Sequence, residues 1–296
     1  MFQRSNAPIA GLALALAMLV VTAGVAAAAT VVGDDGPNDL VGTAGHDRVL
    51  AKGGDDHVDA RAGRDLVRGG PGNDVIRGGG GFSGRRGDLL HGNAGDDVVL
   101  GNRGYDLITG NAGNDVLRGG QGCDGVYGGP GDDQVLGGDG RSFFRGLCDR
   151  LHGGPGNDRI AGGRGRDRMS GGREDDVQTG GGGADVIFAN RGADQSWGGE
   201  GADELWALSR YDVAALGDPM GDDLHGEAGP DRFRVRDGEV DRVHCGDGKD
   251  RVLADQYDQV DTDCELVKRV PVTSLDQVDD GPENRSEDPS ADSDEG

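Results

Sequence analysis

Through most of this chain an aspartate recurs every nine residues, usually with a glycine two positions before it and an apolar residue two positions after it. Between Gly33 and Arg234 the pattern G-G-x-G-x-D-x-U-x, with U apolar, occurs in 20 units, and the sixth position is aspartate in 19 of them. These are Asp47, Asp56, Asp65, Asp74, Asp88, Asp97, Asp106, Asp115, Asp124, Asp133, Asp149, Asp158, Asp167, Asp176, Asp185, Asp194, Asp203, Asp222 and Asp231, while Asn38 holds the place in the first unit. The eighth position is apolar throughout, except for Gln178 and Ser196. A chain tied to this period has one inward side chain per unit and spends the rest on turns.

The period predicts an all-β fold, a parallel β-roll of stacked coils. Six glycine-rich residues turn the chain, and a three-residue x-U-x strand follows. Two units then complete a coil of about 18 residues, with parallel strands stacked roughly 4.8 Å apart. Strand alternation points position 8 inward and positions 7 and 9 outward. Glycine at positions 1, 2 and 4 permits positive φ, a region that Asn93, Asn102, Asn111 and Asn190 at position 2 also tolerate.

Three units are enlarged, Gly78 to His91, Gly137 to His152 and Ala207 to His225, to 14, 16 and 19 residues. Each enlargement lies between the glycine loop and the Asp-x-U segment, which predicts surface loops grafted onto a regular stack. After Arg234 the beat loosens to Asp241-x-Val243, Asp250-x-Val252 and Asp258-x-Val260, and residues 235–270 are expected to cap the roll.

The two ends of the chain differ from this domain, which spans residues 30–234. Residues 1–29 have the form of a secretory signal: Arg4, an apolar run from Ile9 to Val25, then four alanines. An uncleaved anchor is the alternative. Residues 271–296 carry nine acidic residues against one basic and little to bury, so a disordered acidic tail is expected.

With 60 glycines, 4% aromatic residues and one inward apolar residue per nine, burial alone leaves the ordering entropy largely unopposed. The formal charge of −24 argues against nucleic acid and against anionic membranes once the signal is removed. Cations are the natural partners. In the stack the aspartates form two rows, and neighbouring carboxylates repel by about 1 kcal/mol in water and by several at lower effective dielectric. Calcium suits such rows, since it takes six to eight oxygens from carboxylates and exposed carbonyls together. Magnesium demands a tighter octahedron. Zinc prefers His or Cys, and the six histidines are scattered in sequence, so they read as surface or loop-packing residues.

On units such as Gly69-Gly70-Pro71-Gly72-Asn73-Asp74-Val75-Ile76-Arg77, the chain resembles the RTX, or haemolysin-type, calcium-binding nonapeptide repeat proteins, secreted by bacteria. The resemblance implies a β-roll that holds several calcium ions between loops of successive turns. Its ligands are the position-6 aspartates, here the 19 named above, and loop carbonyls. The first four units lack the Gly-Gly pair, and Glu174 replaces the position-4 glycine before Asp176, so those sites depart from the pattern.

Four cysteines behind a signal allow three disulfide pairings. The register favours one of them. Cys123 and Cys148 both occupy position 5, two units apart, which places them on adjacent coils within bonding range. Cys245 and Cys264 flank the expected cap over a similar span. Free thiols are the alternative.

No H-E-x-x-H, G-x-S-x-G or G-x-x-x-x-G-K-[ST] motif occurs, and no non-repeat segment is large enough for a catalytic domain, so an enzyme is not expected. Two readings remain open. In one, the chain is an extracellular calcium-binding roll that folds on calcium. In the other, it is a calcium-dependent adhesion or matrix protein whose enlarged loops, with Phe82, Phe143, Phe144 and Tyr211, contact a cell surface or polymer. A weaker third reading is a permanently disordered acidic chain.

Overall fold

The computed structural model describes residues 28–80, 87–139, 148–207, 217 and 221–274. The signal-like segment up to residue 27, most of the acidic tail and the aromatic residues of the enlarged units lie outside the described residues. Among those described there is no helix, so none is long and apolar enough to cross a membrane.

The chain forms a parallel β-solenoid of two sheets, with 13 and 12 strands. Successive strands alternate between the sheets, so each pairs with the strand one coil away. The result is about 12 turns rather than the ten that 20 units at two per turn give. The difference arises at the ends. Thr30–Val32 precedes the first unit, and Arg242–His244, Arg251–Ala254, Gln259–Val260 and Leu266–Arg269 extend both sheets. The segment expected to cap the roll is therefore built as further coils.

Strand length also differs from the expectation. Through the middle of the roll many strands run six residues, as in Leu66–Pro71 and Leu89–Ala94, because positions 1 to 3 of the next unit continue the strand before the chain turns. Three-residue strands dominate only where the early units lack the glycine pair, as in Arg48–Leu50 and His57–Asp59. The pairing register is the nonapeptide count itself: Val67 stands opposite Leu90, and Leu117 opposite Val135.

Position-8 residues from both sheets meet in a narrow interior, where Val67, Ile76, Leu90, Val99, Ile108 and Leu117 are fully buried. The polar exceptions lie on adjacent coils and satisfy each other. Ser196 Oγ donates to Gln178 Oε1 at 3.0 Å, and Gln178 Nε2 donates to the Phe188 carbonyl at 3.0 Å. Both residues are fully buried, as a hydrogen-bonded pair can be in an apolar core.

Glycine serves two purposes in the turns. At positions 2 and 4 the backbone is left-handed, as at Gly70 (φ 122°) and Gly72 (φ 137°), and the four expected asparagines adopt it with φ between 73° and 90°. Position 1 is not left-handed. A Cβ at Gly69 would instead collide with Asp74 Oδ2 and with the Gly92 carbonyl of the next coil.

Candidate metal centre

Each position-6 aspartate follows a turn that ends beneath the next strand, so its side chain folds inward under the glycine loop. All 19 are buried, at 3% exposure or less. They stand in two rows. One row runs through Asp47, Asp65, Asp88, Asp106, Asp124, Asp149, Asp167, Asp185, Asp203 and Asp231. The other runs through Asp56, Asp74, Asp97, Asp115, Asp133, Asp158, Asp176, Asp194 and Asp222.

The rows are not bare lines of carboxylates. Along each, the backbone N–H of one aspartate donates to Oδ1 of the aspartate one coil later, at 2.7 to 2.9 Å. The ladder crosses every enlarged unit unbroken. Its step lengthens from 18 residues to 23 between Asp65 and Asp88, 25 between Asp124 and Asp149, and 28 between Asp194 and Asp222. The stack of described residues is therefore continuous across each enlarged unit.

The second oxygen is left over. Oδ2 of Asp56, Asp65, Asp74, Asp97, Asp106, Asp115, Asp124, Asp133, Asp149, Asp158, Asp167, Asp176, Asp185, Asp203 and Asp231 is buried without a hydrogen-bond partner. The space beside it is framed by oxygen. At Gly110, for example, the point a Cβ would occupy lies inside 3.0 Å of both Asp115 Oδ2 and the Gly128 carbonyl oxygen. Gly153 has the same relation to Asp158 and Gly171.

Orphaned anionic oxygens beside carbonyls are costly when buried, since each ionised group has lost its water. The titration behaviour expresses that cost. Desolvation pushes the carboxyl of Asp74 up to about 6, Asp106 to about 7, and Asp133 and Asp149 to about 8, against the lowering effect of the backbone N–H each accepts. Asp176 reaches about 10, mainly through desolvation and then through repulsion from Asp194, with Glu174 adding to it. Asp222 is also raised well above the ordinary range, first by desolvation and then by Asp194 and Asp241. An all-oxygen, anionic, dehydrated donor set of this kind fits a hard divalent cation.

Two places depart from the rule. Asp47 is already saturated by its own loop, since the Thr43 N–H and hydroxyl both donate to its carboxylate, at 2.5 to 3.0 Å. The rows also continue beyond the expected ligands, from Asp222 to Asp241 and Asp258, and from Asp231 to Asp250. These three belong to the loosened D-x-V beat, whose spacing was the available signal.

Both expected disulfides are present, Cys123–Cys148 and Cys245–Cys264, with Cα atoms 4.5 and 5.2 Å apart. The histidines correct the sequence reading in one respect. His91 Nδ1 meets Thr109 Oγ1 at 2.7 Å and His152 lies edge-on to Tyr127, but His225 and His244, 19 residues apart, stack on adjacent strands.

A parallel solenoid with a buried carboxylate row along each side defines the class: a β-roll built from nonapeptides. The RTX calcium-binding nonapeptide repeat family matches residues 32–67, 51–82, 91–126, 109–144, 149–178 and 179–205. These segments cover more than half of the chain, which belongs to that family. Comparison with curated proteins finds no match.

Proposed function

We infer that the chain is an extracellular calcium-binding protein whose roll folds when calcium binds, and that it is not an enzyme. The observation that carries this reading is the repetition, coil after coil, of a buried aspartate with one oxygen on the backbone and the other unpartnered. The ligands are the position-6 aspartates, from Asp56 to Asp231, with loop carbonyls completing the oxygen shell. Asp47 is the weakest of the 19, because its loop already satisfies it.

Residues 1–29 act as the secretory signal, 30–234 as the repeat roll, 235–270 as its C-terminal end and 271–296 as an acidic tail. Calcium is scarce inside cells and abundant outside. The chain thus stays unfolded during export and orders outside, where binding free energy becomes folding free energy.

Circular dichroism of the mature chain tests this. Without calcium the spectrum is that of a disordered chain, and millimolar calcium converts it cooperatively to strand. An unchanged spectrum overturns the mechanism. A second reading, calcium-dependent adhesion or matrix binding through the enlarged units, is supported by their shared placement on one part of the repeat and by Phe82, Phe143, Phe144 and Tyr211 within them. Deleting these loops abolishes attachment to cells or polymer under that reading and leaves calcium binding intact.

A further inference from the structure

Near the C-terminal end of the 12-stranded sheet, outward-facing side chains of neighbouring coils gather in a way the calcium rows do not use. Trp197, His225 and His244 are in register on three successive strands, and Asp261 follows Val260 on the next coil. Asp223 stands two residues before His225, so strand alternation puts both on the outer face. The imidazole rings of His225 and His244 stack with centroids 4.4 Å apart, and Trp197 stacks on His225 at 5.3 Å.

Three ligand-type atoms converge here. Asp223 Oδ1 lies 3.1 Å from His225 Nε2 and 3.3 Å from His244 Nε2. The same oxygen is buried and makes no hydrogen bond, so both nitrogens approach it without the alignment of donors. On the other side of His244, Nδ1 lies 2.8 Å from Asp261 Oδ2. That contact orients the His244 ring and turns Nε2 towards the Asp223 oxygen. One ligand atom from each of Asp223, His225 and His244 lies within 4.8 Å of the others, an arrangement able to hold a metal ion.

We propose that Asp223, His225 and His244 form a binding site for a transition-metal dication of the zinc class, separate from the aspartate rows. The spacing agrees with the chemistry. In a tetrahedral zinc centre with bonds of roughly 2.0 to 2.1 Å, neighbouring ligand atoms lie about 3.3 to 3.4 Å apart. Imidazole nitrogen selects zinc, nickel or copper over calcium, whose shell is oxygen. Asp261 orients His244 from behind, as outer carboxylates do for metal-bound histidines. The three side chains are 27% to 38% exposed, so an ion enters from solvent and the remaining position is left to water or a solute.

Calorimetric titration of zinc chloride into the full-length, tag-free chain in excess calcium tests the site. Wild type binds one zinc per chain. His225→Phe and His244→Phe, which keep a stacked ring but remove the ligand nitrogen, weaken it at least tenfold, as does the partly exposed Asp223→Asn; His91→Ala leaves it unchanged. Equal zinc affinity in wild type and all three site variants overturns the proposal. So does the absence of zinc uptake by a wild-type chain whose spectrum shows the folded roll. The same spectra report calcium-dependent folding, so failure of the zinc site and failure of the calcium reading are separate results.

Discussion

At the scale of the residue, the nonapeptide is a device for burying a carboxylate and leaving it incomplete. Position 6 supplies the acid, the backbone one coil earlier takes one oxygen, and glycine at position 1 leaves room for the other. The role of position 1 was not legible in the sequence, where its glycine looked like those of the turn. Gly110→Ala tests the distinction. Its backbone needs no left-handed conformation, yet the added methyl collides with Asp115 Oδ2 and the Gly128 carbonyl. Overpacking of this kind costs about 1 to 3 kcal/mol, so the calcium concentration at the folding midpoint rises; an unchanged midpoint refutes the steric role.

At the scale of the element, each strand stays in place through its register with neighbours one coil away, and the sequence count predicted that register well. Position-8 identities, the placement of the insertions and the Cys123–Cys148 pair follow from it. The Gln178 and Ser196 exceptions looked like defects in the sequence but form a buried pair in the structure. Gln178→Leu alone leaves the Ser196 hydroxyl and the Phe188 carbonyl without their partner, at a cost of about 1 to 3 kcal/mol. Adding Ser196→Ala recovers part of this loss. Denaturant unfolding in saturating calcium measures both variants, and equal stability of the single and double variants contradicts the pairing.

At the scale of the whole molecule, the rows make stability depend on protons and, under the proposed function, on calcium as well. Burial raises the folded-state pKa of these aspartates from the ordinary value near 4 to about 6 for Asp74, 7 for Asp106 and 8 for Asp133. A raised native pKa means the folded chain binds more protons, so that stability is fully present below about pH 4 and lost as pH rises through 6 to 8. The calcium-free chain is therefore most folded in acid and unfolds towards neutral pH, where under the proposed function calcium replaces the protons. Circular dichroism in a chelator from pH 4 to 8 checks this, and strand content that rises with pH contradicts it.

The repeat determined by itself that this chain coils, that its strands are parallel, which residues face inward and which cysteines meet, because all of these follow from counting along one period. Tertiary structure decided what counting could not reach. Burial and the N–H ladder shape the carboxylates, and both depend on how closely successive coils approach. The end strands complete about 12 turns, because Val243, Val252 and Val260 still find the core after the glycine pattern has faded. His225 and His244 became neighbours although no motif links them. Stacking turns distance along the chain into adjacency across the sheet, and the nonapeptide pattern leaves the identity of its outward positions open.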